Sequence, residues 1–254
     1  MDGEKYLSCR VNMEQTIQEL RQSLVNICQA ERYKGSAAVV ESVPYIPYIP
    51  EKWNGVLVLA EAQNLSENLY ENYTDMQKIS RLYPEKNCSK TYDADGKLFP
   101  VLDIKPWEDG SIPLALKAAL GLDPFETAVC NACLWSLREN GKNLNPNDEM
   151  RAESRILWKK MLAALGTMVK QIICCGSVAA SIFDFEEANA IRNCLRLPSP
   201  NALSRVSGMF REEDLFKRYP EVRNVFAEFK DTTYRQNKIF YACHAVSILK
   251  RDDF

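Results

Sequence analysis

Four segments place side chains with chemical potential directly after short apolar runs. The first is Ala60-Glu-Ala-Gln-Asn64, which follows Gly55-Val-Leu-Val-Leu-Ala60. Glu61 is a carboxylate able to stabilise a developing cation or to activate a water, while Gln63 and Asn64 supply amide contacts or orient that water. The second segment runs from Asn131 to Pro146, and the Asn131 amide both donates and accepts, as reading the pairing edge of a pyrimidine requires. The third is Cys175-Gly-Ser-Val-Ala179. The fourth is Leu197-Pro-Ser-Pro-Asn-Ala-Leu-Ser-Arg205, in which Ser199, Ser204 and Arg205 are suited to gripping phosphates. Plainer readings stand beside these: Glu61 as a solvated loop acid, Asn131 as an amide satisfied by backbone, and the last segment as a surface loop. No Gly-rich phosphate loop occurs at any of the four.

Composition narrows the chemistry. The chain has a single histidine, His244, set in an apolar stretch, which argues against Ser-His or Cys-His nucleophilic catalysis and against a His-rich zinc site. Nine cysteines and a polar N-terminus predict free thiols in a reducing cytoplasm. Cys130-Asn-Ala-Cys133 has ligand spacing, but no second CxxC answers it. Its apolar context reads as small buried cysteines in a strand, so neither metal nor cofactor is expected. No apolar run approaches the roughly 20 residues of a membrane-spanning helix.

Net charge is −2, from 32 basic and 34 acidic residues, which on its own leans against nucleic acid. The regional distribution differs. Residues 190–220 hold six basic side chains against three acidic ones, a net of +3. Residues 53–112 hold ten acidic against six basic, a net of −4. A basic segment around the fourth motif is thus offset by an acidic insertion over 65–112.

The elements that must position these groups alternate strand with helix. Helical spacing covers 12–32, with Met13, Ile17, Leu20, Leu24, Ile27 and Cys28 on one side. Val43-Pro-Tyr-Ile-Pro-Tyr-Ile-Pro50 predicts an extended, surface-hugging connector. Strands are predicted at 55–60, 127–134, 171–176 and 193–197. Helices are predicted at 113–122, from 146 to about 165, after a Ser177 cap, and at 220–230 and 233–249. This pattern predicts an α/β fold, a three-layer α/β/α sandwich around a mainly parallel four-stranded sheet, with ligands at the carboxyl ends of its strands. One domain over 1–254 is expected, with an N-terminal helical extension at 1–50 and C-terminal helices at 211–254.

In the order of its motifs the chain resembles the uracil-DNA glycosylase superfamily. The matching segments are Ala60–Asn64, Cys130-Asn131 with Asn143-Leu-Asn-Pro146, Cys175–Ala179 and Leu197–Ser204, spread over roughly residues 50 to 210. The resemblance implies a uracil-DNA glycosylase-like fold and a monofunctional glycosylase that flips a base from DNA and hydrolyses its N-glycosidic bond. It implies Glu61, Asn64 and Asn131 as catalytic and Gln63 and Asn131 as base contacts. Trp107 and Tyr70 are candidates for stacking under the base, and Tyr73 is a further one. Leu203 takes the place of the apolar wedge that enters the base stack. The chain departs from the pattern where Leu197 replaces the motif histidine and Ala62 an acidic or amide residue, and its cysteines do not reproduce the family's iron–sulfur set. These departures point to a modified or deaminated pyrimidine as substrate, in base excision or in defence against modified phage DNA. A catalytically silent binder of damaged or modified DNA is the alternative, and a nucleoside hydrolase on the same scaffold a third reading.

Overall fold

The computed structural model describes residues 17–39, 42–47, 49, 50, 52–61, 91, 92, 98, 99, 111–123, 126–140, 142–191, 194–198, 203, 206–228 and 235–249. The central sheet is built from β1 (Val56–Ala60), β4 (Ala128–Asn131), β7 (Gln171–Cys175) and β8 (Cys194–Leu197), in the order β4-β1-β7-β8. Every pairing in it is parallel. Two antiparallel ladders lie outside it: β2 (Thr91–Tyr92) with β3 (Leu98–Phe99), and β5 (Leu137–Glu139) with β6 (Lys142–Leu144).

Side-chain parity divides the sheet into two faces. Leu57, Leu59, Ala128, Cys130, Ile172 and Cys174 enter one apolar cluster, with the helix over 17–29 (α1) and α3 (Asp148–Leu165). Val56, Val58, Ile173, Cys175 and Leu197 enter the other, with α2 (Ser111–Leu120), α7 (Pro220–Glu228) and α8 (Arg235–Leu249). Strands buried on both faces are continuous in apolar residues because a parallel sheet is covered on both sides. Each fully buried leucine among them contributes roughly 2 kcal/mol by leaving water.

Helix α3 starts where Asn147 Oδ1 accepts from the Met150 backbone N–H at 2.8 Å, and it ends at Gly166. Its buried stripe, Met150, Ser154, Leu157, Trp158, Met161, Leu162 and Leu165, has helical period. Trp158 Nε1–H donates to Ala132 O at 2.8 Å, which ties α3 to the segment leaving β4. Two short helices, α4 (Ser177–Ile182) and α5 (Glu186–Asn189), follow β7.

Four sequence expectations change. The strand expected over 127–134 ends at Asn131: Ala132 N–H still donates to Ala60 O at 2.7 Å as the ladder requires, but the next bond, Cys133 N–H to Glu61 O at 2.9 Å, departs from its alternation. The chain then forms the β5–β6 hairpin, whose two-residue connection is Asn140-Gly141, with Asn140 at φ +50°. A further helix, α6 (Glu212–Arg218), precedes α7. The proline-rich connector is not superficial: Val43, Ile46 and Ile49 are buried. Arg21 Nε–H donates to Ile49 O at 2.7 Å and Trp135 Nε1–H to Ser42 O at 3.0 Å, so the connector is strapped into the first layer.

Candidate functional site at the carboxyl ends of the strands

Parallel register brings the first two motifs together. Ala60 pairs with Asn131, so Glu61 leaves β1 beside the residue that ends β4. Residues paired across parallel strands share a face, and Ala60 packs against the second cluster, so Asn131 stands on that face at the sheet edge. It is half-buried. Backbone bonds hold this corner: Ala132 N–H donates to Ala60 O, and Cys133 N–H donates to Glu61 O at 2.9 Å.

The half-buried Glu61 side chain crosses toward the turn after β7. Its Oε1 accepts from the Val178 N–H at 3.4 Å, a long and correspondingly weak bond. This corrects the expected role of Ser177. Gly176 is the N-cap of α4 and has no side chain to cap with, so the carboxylate of Glu61 stands at the first turn instead. The opposite end of α4 meets Arg155, whose Nε–H donates to Ile182 O at 3.2 Å and whose guanidinium NH2 donates to Ser181 O at 2.5 Å. An anion at the N-terminus and a cation at the C-terminus both suit the helix dipole.

The β8 end is organised differently. Leu197 is 3% exposed and belongs to the second cluster with Val58, Ile173, Cys175 and Tyr241. Its carbonyl accepts from Gly176 N–H at 2.6 Å, and the buried Tyr241 hydroxyl donates to Pro198 O at 3.0 Å. Burial, with Cys175 beside it, pushes the Tyr241 hydroxyl far up. Burial also pushes the Cys175 thiol up to about 12; its bond with Tyr241 opposes this and the Glu61 charge adds to it. Both groups therefore stay protonated at neutral pH and serve as anchors, not bases. Tyr241 holds the turn after β8, a contact that sequence reading missed, since a tyrosine in an apolar helix carries no signal for it.

Leu203 is helical, half-buried and packed against the second cluster. The exposed apolar side chains of this region are Val206, Met209 (79% exposed) and Phe210. They sit on a turn that α8 holds firmly: Gln236 Nε2 donates to Ser207 O at 3.1 Å and to Phe210 O at 2.8 Å, and Ser207 bonds Asn237. Arg235 and Glu212 pair at 2.8 Å beside it, and Phe210 stacks on Phe240 with centroids 4.7 Å apart. This tip also went unread in the sequence.

Gln63, Asn64, Tyr70, Tyr73, Trp107, Ser199, Ser204 and Arg205 lie outside the described residues. Asn143 lies in β6, paired with Arg138, and Pro146 O accepts from Arg151 Nε–H at 3.2 Å at the approach to α3. Cys130 and Cys133 are buried, and the Cys133 thiol donates to Trp135 O at 3.4 Å. Among the described residues no cluster of three or more His, Cys, Asp or Glu side chains is placed to hold a metal ion, and no helix is long and apolar enough to cross a membrane. His244 lies on α8, half-buried, with its pKa lowered by that burial. A small cleft of about 70 Å³ lies elsewhere, lined by Glu31, Lys34, Trp135, Glu153, Ile156, Leu157 and Lys160. No family model, curated protein or solved structure matches the chain.

Proposed function

We propose that the protein is a monofunctional DNA glycosylase with a uracil-DNA glycosylase-like sheet, acting in the cytoplasm on a modified or deaminated pyrimidine flipped out of DNA. One observation carries this reading. The Ala60–Asn131 pairing brings Asn131 and the start of the turn that carries Glu61 to one carboxyl edge of a parallel sheet, where such folds bind their ligands. In the proposed reaction the C1′–N bond breaks, the electron pair leaves with the base, and the sugar passes through an oxocarbenium-like state. Glu61 stabilises that cation and takes the proton of the water that adds to C1′. Asn131 donates to the leaving base, with Gln63 and Asn64 as further amides and Trp107 or Tyr70 stacking under it. Ser199, Ser204 and Arg205 grip the flanking phosphates. The apolar insertion into the stack comes from the segment 203–210, in which Leu203 is half-buried and Met209 exposed. The biological setting is base excision or defence against modified phage DNA.

The test is a base-release assay on duplexes carrying uracil, hydroxymethylcytosine or a glucosylated base, with Glu61→Ala and Asn131→Ala as controls. Release of one of these bases, lost in both variants, supports the proposal. No release from any duplex, or release unchanged by both substitutions, refutes it.

A second reading, a catalytically silent binder of modified DNA, is favoured by the burial of Leu197, which leaves no acid at the position where the resemblance expects one. Tight, salt-sensitive binding of a modified duplex without an abasic product would select it.

A further inference from the structure

We infer that Gly176 is a positioning residue for Glu61, an inference that rests on the reading of Glu61 as the carboxylate of the site. Two separate features meet at this glycine. Its backbone, at φ +102° and ψ 166°, lies in a region essentially reserved for glycine. Its missing side chain is also the space that Glu61 fills. A Cβ at position 176 would overlap Glu61 Oε1 and stand 2.6 Å from Cδ and 2.7 Å from Cγ.

Neither backbone is placed to yield. Gly176 N–H donates to Leu197 O at 2.6 Å, and Gly176 O accepts from Ala180 N–H at 3.1 Å. On the other side, Glu61 O accepts from Cys133 N–H at 2.9 Å. The Glu61 side chain lies between the end of β1 and the first turn of α4, in the space a Cβ at 176 would take, with Oε1 toward the Val178 N–H. A strained turn alone would require glycine whatever stood at position 61. Positioning makes a different claim: residues 61 and 176 are energetically coupled.

Urea unfolding of Gly176→Ala, Glu61→Ala and the double variant closes a cycle that isolates this coupling. The expected result is a midpoint shift from Gly176→Ala roughly twice as large with Glu61 present as with alanine at 61. Equal shifts overturn the inference. Base release adds a readout that simple destabilisation would not move. Gly176→Ala is expected to lower the single-turnover rate about tenfold or more with duplex Kd unchanged, and adding Glu61→Ala to lower it no further. Losses that multiply overturn the inference. If the wild-type protein releases no base, the glycosylase reading fails while the unfolding cycle still decides the coupling. If Gly176→Ala folds only when Glu61 is also replaced, the coupling is supported. If it folds in neither background, the Val178 amide resonance decides: Glu61→Ala must move it, and an unmoved resonance overturns the inference.

Discussion

The carboxyl ends of β1 and β8 belong to one sheet and present opposite kinds of surface. Past β1 the chain leaves the core with Glu61, half-buried, its carbonyl fixed by Cys133 and its carboxylate lying along α4. At β8 the last residue, Leu197, turns inward at 3% exposure, and the following Pro198 is held by the hydroxyl of Tyr241. The same topology offers both ends to a ligand, yet only one presents a charged group. Parity decides the difference: Leu197 pairs with Cys175 on the face that α8 covers. A motif position therefore serves chemistry only when its side chain is not claimed by the layer beneath it.

The sharpest way to break this comparison is Leu197→His, which restores the histidine that the resemblance expects. The account predicts destabilisation by about 3 kcal/mol in urea unfolding, from lost apolar burial and a buried imidazole without a partner. It also predicts no faster base release. A stable variant with faster release would mean that position 197 does face the site.

Alkaline unfolding compares the candidate end with a distant part of the core. Burial pushes both Cys28, in the first layer, and Cys175, below Glu61, up to about 12. Their folded values exceed their unfolded ones, so their contribution is complete below the ordinary thiol range and is lost as pH rises toward 12. At pH 10 the loss is roughly 1.5 kcal/mol per thiol, about 3 kcal/mol together. Comparing stability at pH 7 and 10, Cys28→Ala and Cys175→Ala should each remove one share. Glu61→Gln should trim only the Cys175 share, because the Glu61 charge contributes to holding that thiol protonated.

Smaller effects follow from the anchors. Tyr241→Phe leaves Pro198 O without its donor and is expected to cost about 1–2 kcal/mol, measured by urea unfolding, together with weaker duplex binding. Unchanged binding would separate the β8 end from DNA contact. Arg155→Met frees the last carbonyls of α4 and is expected to cost about 1 kcal/mol with a modest loss of release rate. An effect on rate larger than that of Gly176→Ala would shift the positioning of Glu61 from the N-terminal to the C-terminal end of that helix.

The strands β1 and β7 were legible as short continuous apolar runs, β8 as a short run stopped by Pro198, and the long helix α3 by its helical period and its end signals. Asn147 as the helix cap and Gly166 as its end are local features. The end of β4 was not legible, since apolar residues continue to Leu134 and only the Cys133 N–H bond to Glu61 O, beyond the end of another strand, departs from the ladder. The β5–β6 hairpin went unread although Asn140-Gly141 is a turn dipeptide, because its three-residue strands are too short and polar to show alternation. At the site, Glu61 and Asn131 were legible as strand-end residues. The arrangement around α4 was not, because its first turn meets a carboxylate 117 positions away in the chain.

The most direct test of the central claim is single-turnover base release from a duplex bearing one modified pyrimidine, comparing the wild-type protein with Glu61→Gln. This substitution keeps the side-chain shape and an oxygen able to face Val178 while removing the charge. The account predicts release slowed by about 10²–10³-fold with duplex binding unchanged. Equal rates in the two proteins, or no release by either, would contradict it.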